Sequence, residues 1–256
     1  MIHTQKITAE DIAIKRIEKF PDRPTLIFLH DSLGCIELWR DFPEKLAQAV
    51  QCNLLIYDRQ GYGRSVGFSY SERTNDYLEW EADILNDLMQ EWDLEKAILF
   101  GHSDGGSIAL LMAAKYPEKI QAVIVEGAHI FVEDITLQGI KQAAELYEKG
   151  DLRERLMKYH GSKTDAMYEA WTKTWFSKEF RSWNIEHFLP SINCPLLFIQ
   201  GEKDEYGTLQ QVDKTLEQVS GTAQKFIVPK AGHTPHKEKP EEVIKKCRLF
   251  LKAILE

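Results

Sequence analysis

The sequence predicts an α/β protein whose sheet is doubly wound and mostly parallel, with an inserted helical cap. Two observations lead to this prediction. Short apolar runs alternate with amphipathic helical stretches from residue 25 onward, and the segment 131–190 then contains no convincing strand. The apolar runs are aliphatic or β-branched on both faces, which is typical of parallel strands covered by helices on either side. Such alternation implies right-handed crossover connections.

Six apolar runs have the length of buried strands, and five amphipathic stretches between them have helical periodicity. The predicted strands are 25–29, 54–57, 97–100, 122–125, 196–199 and 226–228. The predicted helices lie near 37–50, 74–92, 105–116, 207–219 and 240–255. Within the first twenty residues, the run 12–17 indicates antiparallel strands added at one edge of the sheet.

The helical segment divides the chain into a core, residues 1–130 and 191–256, and a cap insertion, residues 131–190. We expect the cap to cover the carboxyl edge of the sheet, where open α/β sheets bind their ligands. Aromatic residues crowd the second half of the cap, and most of them are expected to form its own small core. Trp171 and Trp175 are the candidates for lining a substrate pocket.

Composition excludes several classes of protein. The net charge of −8 argues against a nucleic-acid partner or an anionic membrane, because both require a basic surface. No signal peptide or membrane-spanning run is predicted, so the expected location is cytoplasmic. The four cysteines are widely separated and are expected to be free, buried thiols. Neither a metal nor an organic cofactor is expected, and the oligomeric state stays open.

A catalytic motif follows the third predicted strand. Residues 97–100 lead directly into Gly101-His102-Ser103-Asp104-Gly105, and a helical pattern begins there. This is the strand, G-x-S-x-G, helix arrangement of a nucleophile elbow, in which small residues permit a sharp turn that exposes the serine hydroxyl. An ordinary glycine turn is the alternative interpretation. The context favours Ser103 as a nucleophile.

A serine needs a base, and the base needs an acid that orients it. With a G-x-S-x-G turn, the acid and then the histidine follow the nucleophile in the chain. Asp204 follows the predicted strand 196–199 and His233 follows 226–228, which makes them the acid and the base. Glu126, at the end of 122–125, is the competing acid, and His236 is a less suitable base.

The tetrahedral intermediate requires two backbone N–H donors. One is expected from Asp104, directly after the nucleophile. The other is expected from the loop after strand 25–29, where Ser32 is the first candidate and Leu33 the second. His30, in the same loop, is interpreted as a structural hydrogen-bonding residue.

Together these motifs resemble the α/β-hydrolase fold superfamily over nearly the whole chain. Residues 57–65 resemble its D-x-R-G-x-G-x-S turn, which is interpreted as architectural, and residues 101–117 are similar to the valacyclovir-hydrolase branch of α-amino-acid ester hydrolases. Two positions depart from the family pattern. Asp31 and Gln60 stand where the family usually has glycine.

The function predicted on this basis is a serine hydrolase that cleaves a small carboxylic ester through an acyl-enzyme. Thioesters, lactones, amides and carbon–carbon bonds are alternatives, since the same triad serves all of them. A serine at the elbow argues against dehalogenase and epoxide-hydrolase chemistry, for which the resemblance implies aspartate. An alternative of another class is a ligand-binding receptor that retains the triad.

Asp104 allows two interpretations. Its carboxylate could bind the ammonium group of an aminoacyl ester, with Asp31 and Glu126 on the same rim of the pocket, or it could cap the following helix. The sequence leaves both open.

Overall fold

The computed structural model describes residues 6–69 and 73–256. Within them the chain forms one seven-stranded sheet in the order β1-β3-β2-β4-β5-β6-β7. β1 runs antiparallel to β3 and every other neighbouring pair is parallel. The strands are β1 (Ile14–Ile17), β2 (Thr25–Leu29), β3 (Asn53–Tyr57), β4 (Ala97–His102), β5 (Ile120–Glu126), β6 (Leu196–Gly201) and β7 (Ala223–Val228). The doubly wound, mostly parallel sheet is confirmed.

Nine α-helices accompany the sheet in the described part of the chain. They are α1 (Phe42–Val50), α2 (Tyr77–Glu91), α3 (Asp104–Lys115), α4 (Asp134–Lys149), α5 (Leu152–His160), α6 (Thr164–Phe176), α7 (Leu209–Gln218), α8 (Pro235–Glu238) and α9 (Pro240–Leu255). The predicted helix near 37–50 is divided in two, because Arg40 has a φ of 56° between a 3-10 turn (Ile36–Trp39) and α1.

Strand β2 shows why helices must cover both faces of the sheet. Successive side chains of a strand point to opposite faces. Leu26 and Phe28 belong to the core that includes α1 and α9, whereas Ile27 and Leu29 belong to the core that includes α2 and α3. All five residues of β2 are buried. This explains the uninterrupted apolar run in the sequence.

The edge of the sheet differs from the prediction. A single antiparallel strand, β1, pairs with β3, while Ile12 and Ala13 lie outside it and a 3-10 turn occupies Ala9–Asp11. Residues 1–5 lie outside the described residues. No helix among the described residues is long and apolar enough to cross a membrane. The four cysteines, all of them described, are buried and free.

Between β5 and β6 the chain is helical. α4, α5 and α6 occupy most of the segment 131–190, and the one β-type contact recorded there is an isolated bridge between Phe131 and Asn184. The parallel strands β2, β4, β5 and β6 end at a common edge, which therefore carries the loops that follow them. These loops contain the candidate site.

Candidate active site

Ser103 occupies a sharp turn between β4 and α3. Its φ of 54° and ψ of −120° are an uncommon conformation for a residue with a side chain, at a cost of about 1–3 kcal/mol. Its amide donates a hydrogen bond to the carbonyl oxygen of Glu126 over 2.8 Å. The turn is thereby fixed to the end of β5, and the hydroxyl projects above the sheet edge.

Close backbone approach explains the glycines on either side of Ser103. A Cβ atom at Gly101 would lie 2.1 Å from the carbonyl oxygen of Gly105, and one at Gly105 would lie 2.0 Å from that of Leu29. Both distances are far below van der Waals contact. The turn therefore excludes side chains at both positions.

The structure brings Ser103, His233 and Asp204 together. The Oγ atom of Ser103 lies 3.0 Å from Nε2 of His233, and Nδ1 of His233 lies 2.8 and 3.0 Å from the two carboxylate oxygens of Asp204. If Nδ1 donates its proton to the carboxylate, Nε2 is left to accept the serine proton. Asp204 is itself fixed by hydrogen bonds from Gln200 Nε2 and from the amide of Tyr206.

Asp204 and His233 each shift the pKa of the other. Burial lowers the pKa of His233, but the negative charge and hydrogen bond of Asp204 outweigh burial and raise that pKa above its ordinary value. Burial raises the pKa of Asp204, and the His233 imidazolium reverses this and lowers it. The arrangement therefore favours an ionised carboxylate and stabilises an imidazolium when it forms.

The competing residues Glu126 and His236 contact each other instead. The carboxylate of Glu126 accepts hydrogen bonds from the amide of His236 and from its Nδ1 atom. Burial raises the pKa of Glu126 to about 7. With His102, these residues form a buried group whose potential metal-ligand atoms lie within 4.8 Å of one another. Neither Glu126 nor His236 takes part in the hydrogen bonds that link His233 to Ser103.

The loop after β2 separates the two oxyanion candidates. The amide of Leu33 already donates to Oδ1 of Asp31 over 2.7 Å. The amide of Ser32, by contrast, makes no hydrogen bond to the described part of the chain. The φ angle of Asp31 is not positive, so this aspartate, at a position where the family usually has glycine, is not strained. The geometry favours Ser32 over Leu33.

Asp104 begins α3, and its carboxylate is almost fully buried, with 1% of the residue exposed. Its Oδ2 atom accepts a hydrogen bond from the hydroxyl of Tyr77 at 3.0 Å and lies 3.8 Å from Nη2 of Arg59. Ser103 occupies the N-cap position of α3, and no backbone amide of the described chain donates to the Asp104 carboxylate. The structure therefore does not support Asp104 as a helix cap.

A cavity of about 230 Å³ adjoins Ser103. Three carboxylates line it, those of Asp31, Asp104 and Glu205, and its described lining includes no lysine or arginine. Glu126 is fully buried and is not part of this lining, so the prediction that it lies on the rim is wrong. The cavity lining beside Ser103 is therefore rich in carboxylates.

Both candidate tryptophans line this cavity. Trp171 and Trp175 are 5% and 2% exposed, so they contribute to the packing of the helical segment 131–190 as well. The indole N–H of Trp175 donates to the hydroxyl of Tyr77 over 3.1 Å, and that hydroxyl donates to Asp104. Through this chain of hydrogen bonds the helical segment contacts Asp104, the residue after Ser103.

His129 is a cavity residue that the sequence analysis did not identify. Its Nε2 atom contacts the carbonyl oxygen of Tyr206 at 3.0 Å, and its Nδ1 atom has no hydrogen-bond partner in the described residues. Burial lowers its pKa, which favours the neutral ring. Its position in the sequence could have identified it, because His129 lies three positions after the end of β5, at the edge of the sheet where ligands bind.

Comparison with known proteins places the chain in a family. Residues 24–149 match the family described as alpha/beta hydrolase fold. Serine hydrolase BPHL of Homo sapiens is 30% identical over 210 residues, which are 77% of this chain and 69% of that protein. BPHL of Mus musculus is 32% identical over 195 residues, 72% of this chain and 64% of that protein. The chain thus spans about two thirds of the length of these relatives.

Two further proteins extend the comparison. Carboxylesterase YbfK of Bacillus subtilis (strain 168) is 27% identical over 246 residues, which cover 90% of this chain and 81% of that protein. A solved carboxylesterase structure from Nitrososphaera gargenis has a TM-score of 0.77 at 19% identity, covering 95% of this chain and 94% of that chain. This last likeness concerns the fold. The chain therefore belongs to the α/β hydrolase fold family, in a branch similar to serine hydrolase BPHL.

Proposed function

We propose that this protein is a serine hydrolase that cleaves a small carboxylic ester through an acyl-enzyme on Ser103. The supporting observation is the series of hydrogen bonds from Asp204 through His233 to the Ser103 hydroxyl, whose last step spans 3.0 Å. A nucleophile and base within hydrogen-bond reach, with the base oriented by a third group, is the arrangement that activates a serine. Family membership agrees with this proposal.

Each group has a role in the proposed reaction. His233 accepts the proton of Ser103 as its oxygen attacks the ester carbonyl, and Asp204 stabilises the resulting imidazolium. The amides of Ser32 and Asp104 donate to the oxyanion. His233 then gives the proton to the leaving alcohol, which produces the acyl-enzyme. Water activated by the same imidazole hydrolyses the acyl group and regenerates Ser103.

The charge of the cavity supports an aminoacyl ester as the substrate. Oδ1 of Asp104 accepts no hydrogen bond from the described chain, and the described cavity lining offers three carboxylates without a lysine or arginine. A substrate carboxylate would be repelled there, whereas an ammonium group would gain a charge-assisted hydrogen bond. We therefore assign the α-ammonium group of the substrate to the carboxylate of Asp104.

The aminoacyl assignment predicts a preference that disappears in Asp104→Asn. We expect alanine benzyl ester to have a kcat/KM about tenfold or more above that of benzyl propanoate, because a hydrogen bond to a charged group contributes about 1.5–3 kcal/mol. In Asp104→Asn the two esters should become nearly equal. The measurement is kcat/KM for both esters in each enzyme.

Asp213→Asn is the matched control, because Asp213 is an exposed carboxylate that pairs with Lys225. It should leave the preference unchanged. Equal kcat/KM values for the two esters in the wild-type enzyme would reject the aminoacyl substrate while leaving the serine hydrolase intact. A lower Tm for Asp104→Asn with an unchanged preference would give Asp104 a purely structural role.

We further propose that the helical segment 131–190 is a cap that selects substrates. Trp171→Ala is expected to change the ratio of kcat/KM between short and long acyl esters at least fivefold, because it opens an apolar wall of the cavity. The rate at which a fluorophosphonate labels Ser103 should change less than that ratio. A uniform loss for all esters would mean that Trp171 is structural. Trp175→Phe keeps an aromatic ring at this position but removes the hydrogen bond to Tyr77, so it distinguishes the effect of packing from that of the hydrogen bond.

A further inference from the structure

The carbonyl oxygen of Asp31 accepts two side-chain hydrogen bonds. Nδ1 of His30 lies 2.7 Å from this oxygen, and Nη2 of Arg59 lies 3.0 Å from it. One of the two donors belongs to a guanidinium, and a charged donor makes the stronger kind of hydrogen bond. The backbone amide of Gly34 also donates to this oxygen, at 3.2 Å.

This carbonyl belongs to the same peptide unit as the amide of Ser32. The unit is planar and trans, so its N–H points away from its C=O. Fixing the carbonyl toward Arg59, His30 and the Gly34 amide therefore fixes the direction of the Ser32 N–H, and the peptide can rotate only by breaking all three hydrogen bonds. Donation to the carbonyl also polarises the unit and strengthens its N–H as a donor.

The state of the His30 ring is determined by its neighbours. Its Nε2 atom accepts a hydrogen bond from the backbone amide of Arg59 at 3.0 Å, so the ring proton is on Nδ1 and faces the Asp31 carbonyl. Burial and the charge of Arg59 lower the pKa of His30 well below its ordinary value. The ring is thus neutral and donates in one direction only.

Arg59 is held in place by the residues around it. Its side chain is fully buried, its Nη1 atom lies 3.5 Å from Glu81, and its guanidinium lies 4.6 Å from the centre of the Tyr62 ring. Its Nη2 atom is 3.8 Å from Asp104, the residue whose amide is the second proposed oxyanion donor. The same guanidinium therefore touches the residues on both sides of the proposed oxyanion hole.

We propose that Arg59 is a positioning residue for the oxyanion hole, which orients and polarises the Asp31–Ser32 peptide with the help of His30. The inference rests on the proposed function, because an oxyanion forms only if Ser103 attacks a carbonyl carbon. It gives a role in the reaction to the turn at 57–65, which the sequence suggests is only architectural. Arg59 itself does not touch the substrate.

The test compares Arg59→Met with His30→Phe, which removes a donor to the same carbonyl without removing a buried positive charge. Each variant should lower kcat about 10- to 100-fold, somewhat less than the loss of a whole oxyanion donor, with KM changed less than twofold. The wild-type enzyme should favour an oxoester over its thionoester, because the N–H donors stabilise O⁻ better than S⁻. In each variant the ratio of kcat for the oxoester to kcat for the thionoester should fall at least fivefold. Arg64→Met, an exposed arginine of the same turn, is the control and should match the wild type.

Circular dichroism tests whether each variant is folded, and fluorophosphonate titration counts its reactive active sites. Rates are expressed per reactive site. Should Arg59→Met not fold, because it leaves Glu81 and Asp104 without this cation, His30→Phe decides the question alone. An unchanged oxoester-to-thionoester ratio in the folded variants would overturn the inference and leave the serine hydrolase standing. A wild-type enzyme that neither turned over an ester nor reacted with the probe would overturn both.

Discussion

Ser103→Ala is expected to reduce ester hydrolysis by at least about 10⁴-fold, to near the background rate. The hydroxyl lies 3.0 Å from Nε2 of His233, within reach of the proposed base. The variant should unfold at close to the wild-type temperature, because the substitution removes one oxygen atom and leaves the backbone turn unchanged. The measurements are kcat/KM for a short-chain p-nitrophenyl ester and the Tm.

A fluorophosphonate probe provides the matching label. It should attach to Ser103 in the wild-type enzyme and in Ser182→Ala, whose serine is exposed and is not part of the cavity lining. It should not attach to Ser103→Ala. Retained turnover in Ser103→Ala, or labelling of a different serine, would remove Ser103 as the nucleophile.

His233→Ala is expected to cost at least about 10⁴-fold in kcat, since it removes the base that accepts the serine proton. Asp204→Asn should cost nearly as much, because an amide cannot stabilise the imidazolium or orient the ring in the same way. Glu126→Gln is the matched control and should retain turnover, since Glu126 contacts His236 and not His233. An active Asp204→Asn beside an inactive Glu126→Gln would reverse the assignment of the acid.

The pH dependence follows from the same pair. Imidazolium cannot accept a proton, so kcat/KM should fall as the pH drops through the pKa of His233. Because Asp204 raises this pKa, the half-maximal point should lie above 6.5, the ordinary value for histidine. Asp204→Asn removes the raising charge and should move the acidic limb to lower pH, in addition to lowering the rate. If the acidic limb of the pH profile did not move, Asp204 would not be the group that raises the pKa of His233.

The sheet could be predicted because burial on both faces leaves a mark in the sequence. β2 was predicted at its observed bounds, since all five residues are apolar or β-branched and every one is buried. β7 begins at Ala223, three residues before the predicted start, because its first residues pair with β6 although Gln224 and Lys225 are exposed. Such edge pairing depends on the neighbouring strand and produces no apolar run.

The buried charged group around Asp104 was not predictable in the same way. Arg59, Tyr77 and Glu81 come from a turn and a helix that are distant from Asp104 in the chain. Each residue alone is typical of a surface position, and their burial together depends on how α2 packs beside α3. No local pattern records that packing, so the sequence could not decide between a substrate-binding and a helix-capping Asp104.

The loop that carries the oxyanion candidates shows a mixed outcome. Its position after β2 follows from the order of the strands, and Ser32 was identified from that position. The choice between Ser32 and Leu33 depends on the orientation of the Asp31 carboxylate, which accepts a hydrogen bond from the amide of Leu33. A side chain at the usual glycine position thus decides which amide remains available.

Trapping the enzyme during turnover of p-nitrophenyl acetate tests the proposed acyl-enzyme on Ser103 most directly. Rapid acid quenching followed by peptide mass spectrometry should find an acetyl group on Ser103, formed in a burst of p-nitrophenol that is followed by sustained turnover. Turnover with no acetylated enzyme, or an acetyl group on a residue other than Ser103, would contradict the acyl-enzyme. A burst with no subsequent turnover would indicate a ligand-binding receptor that keeps the triad without the catalytic cycle.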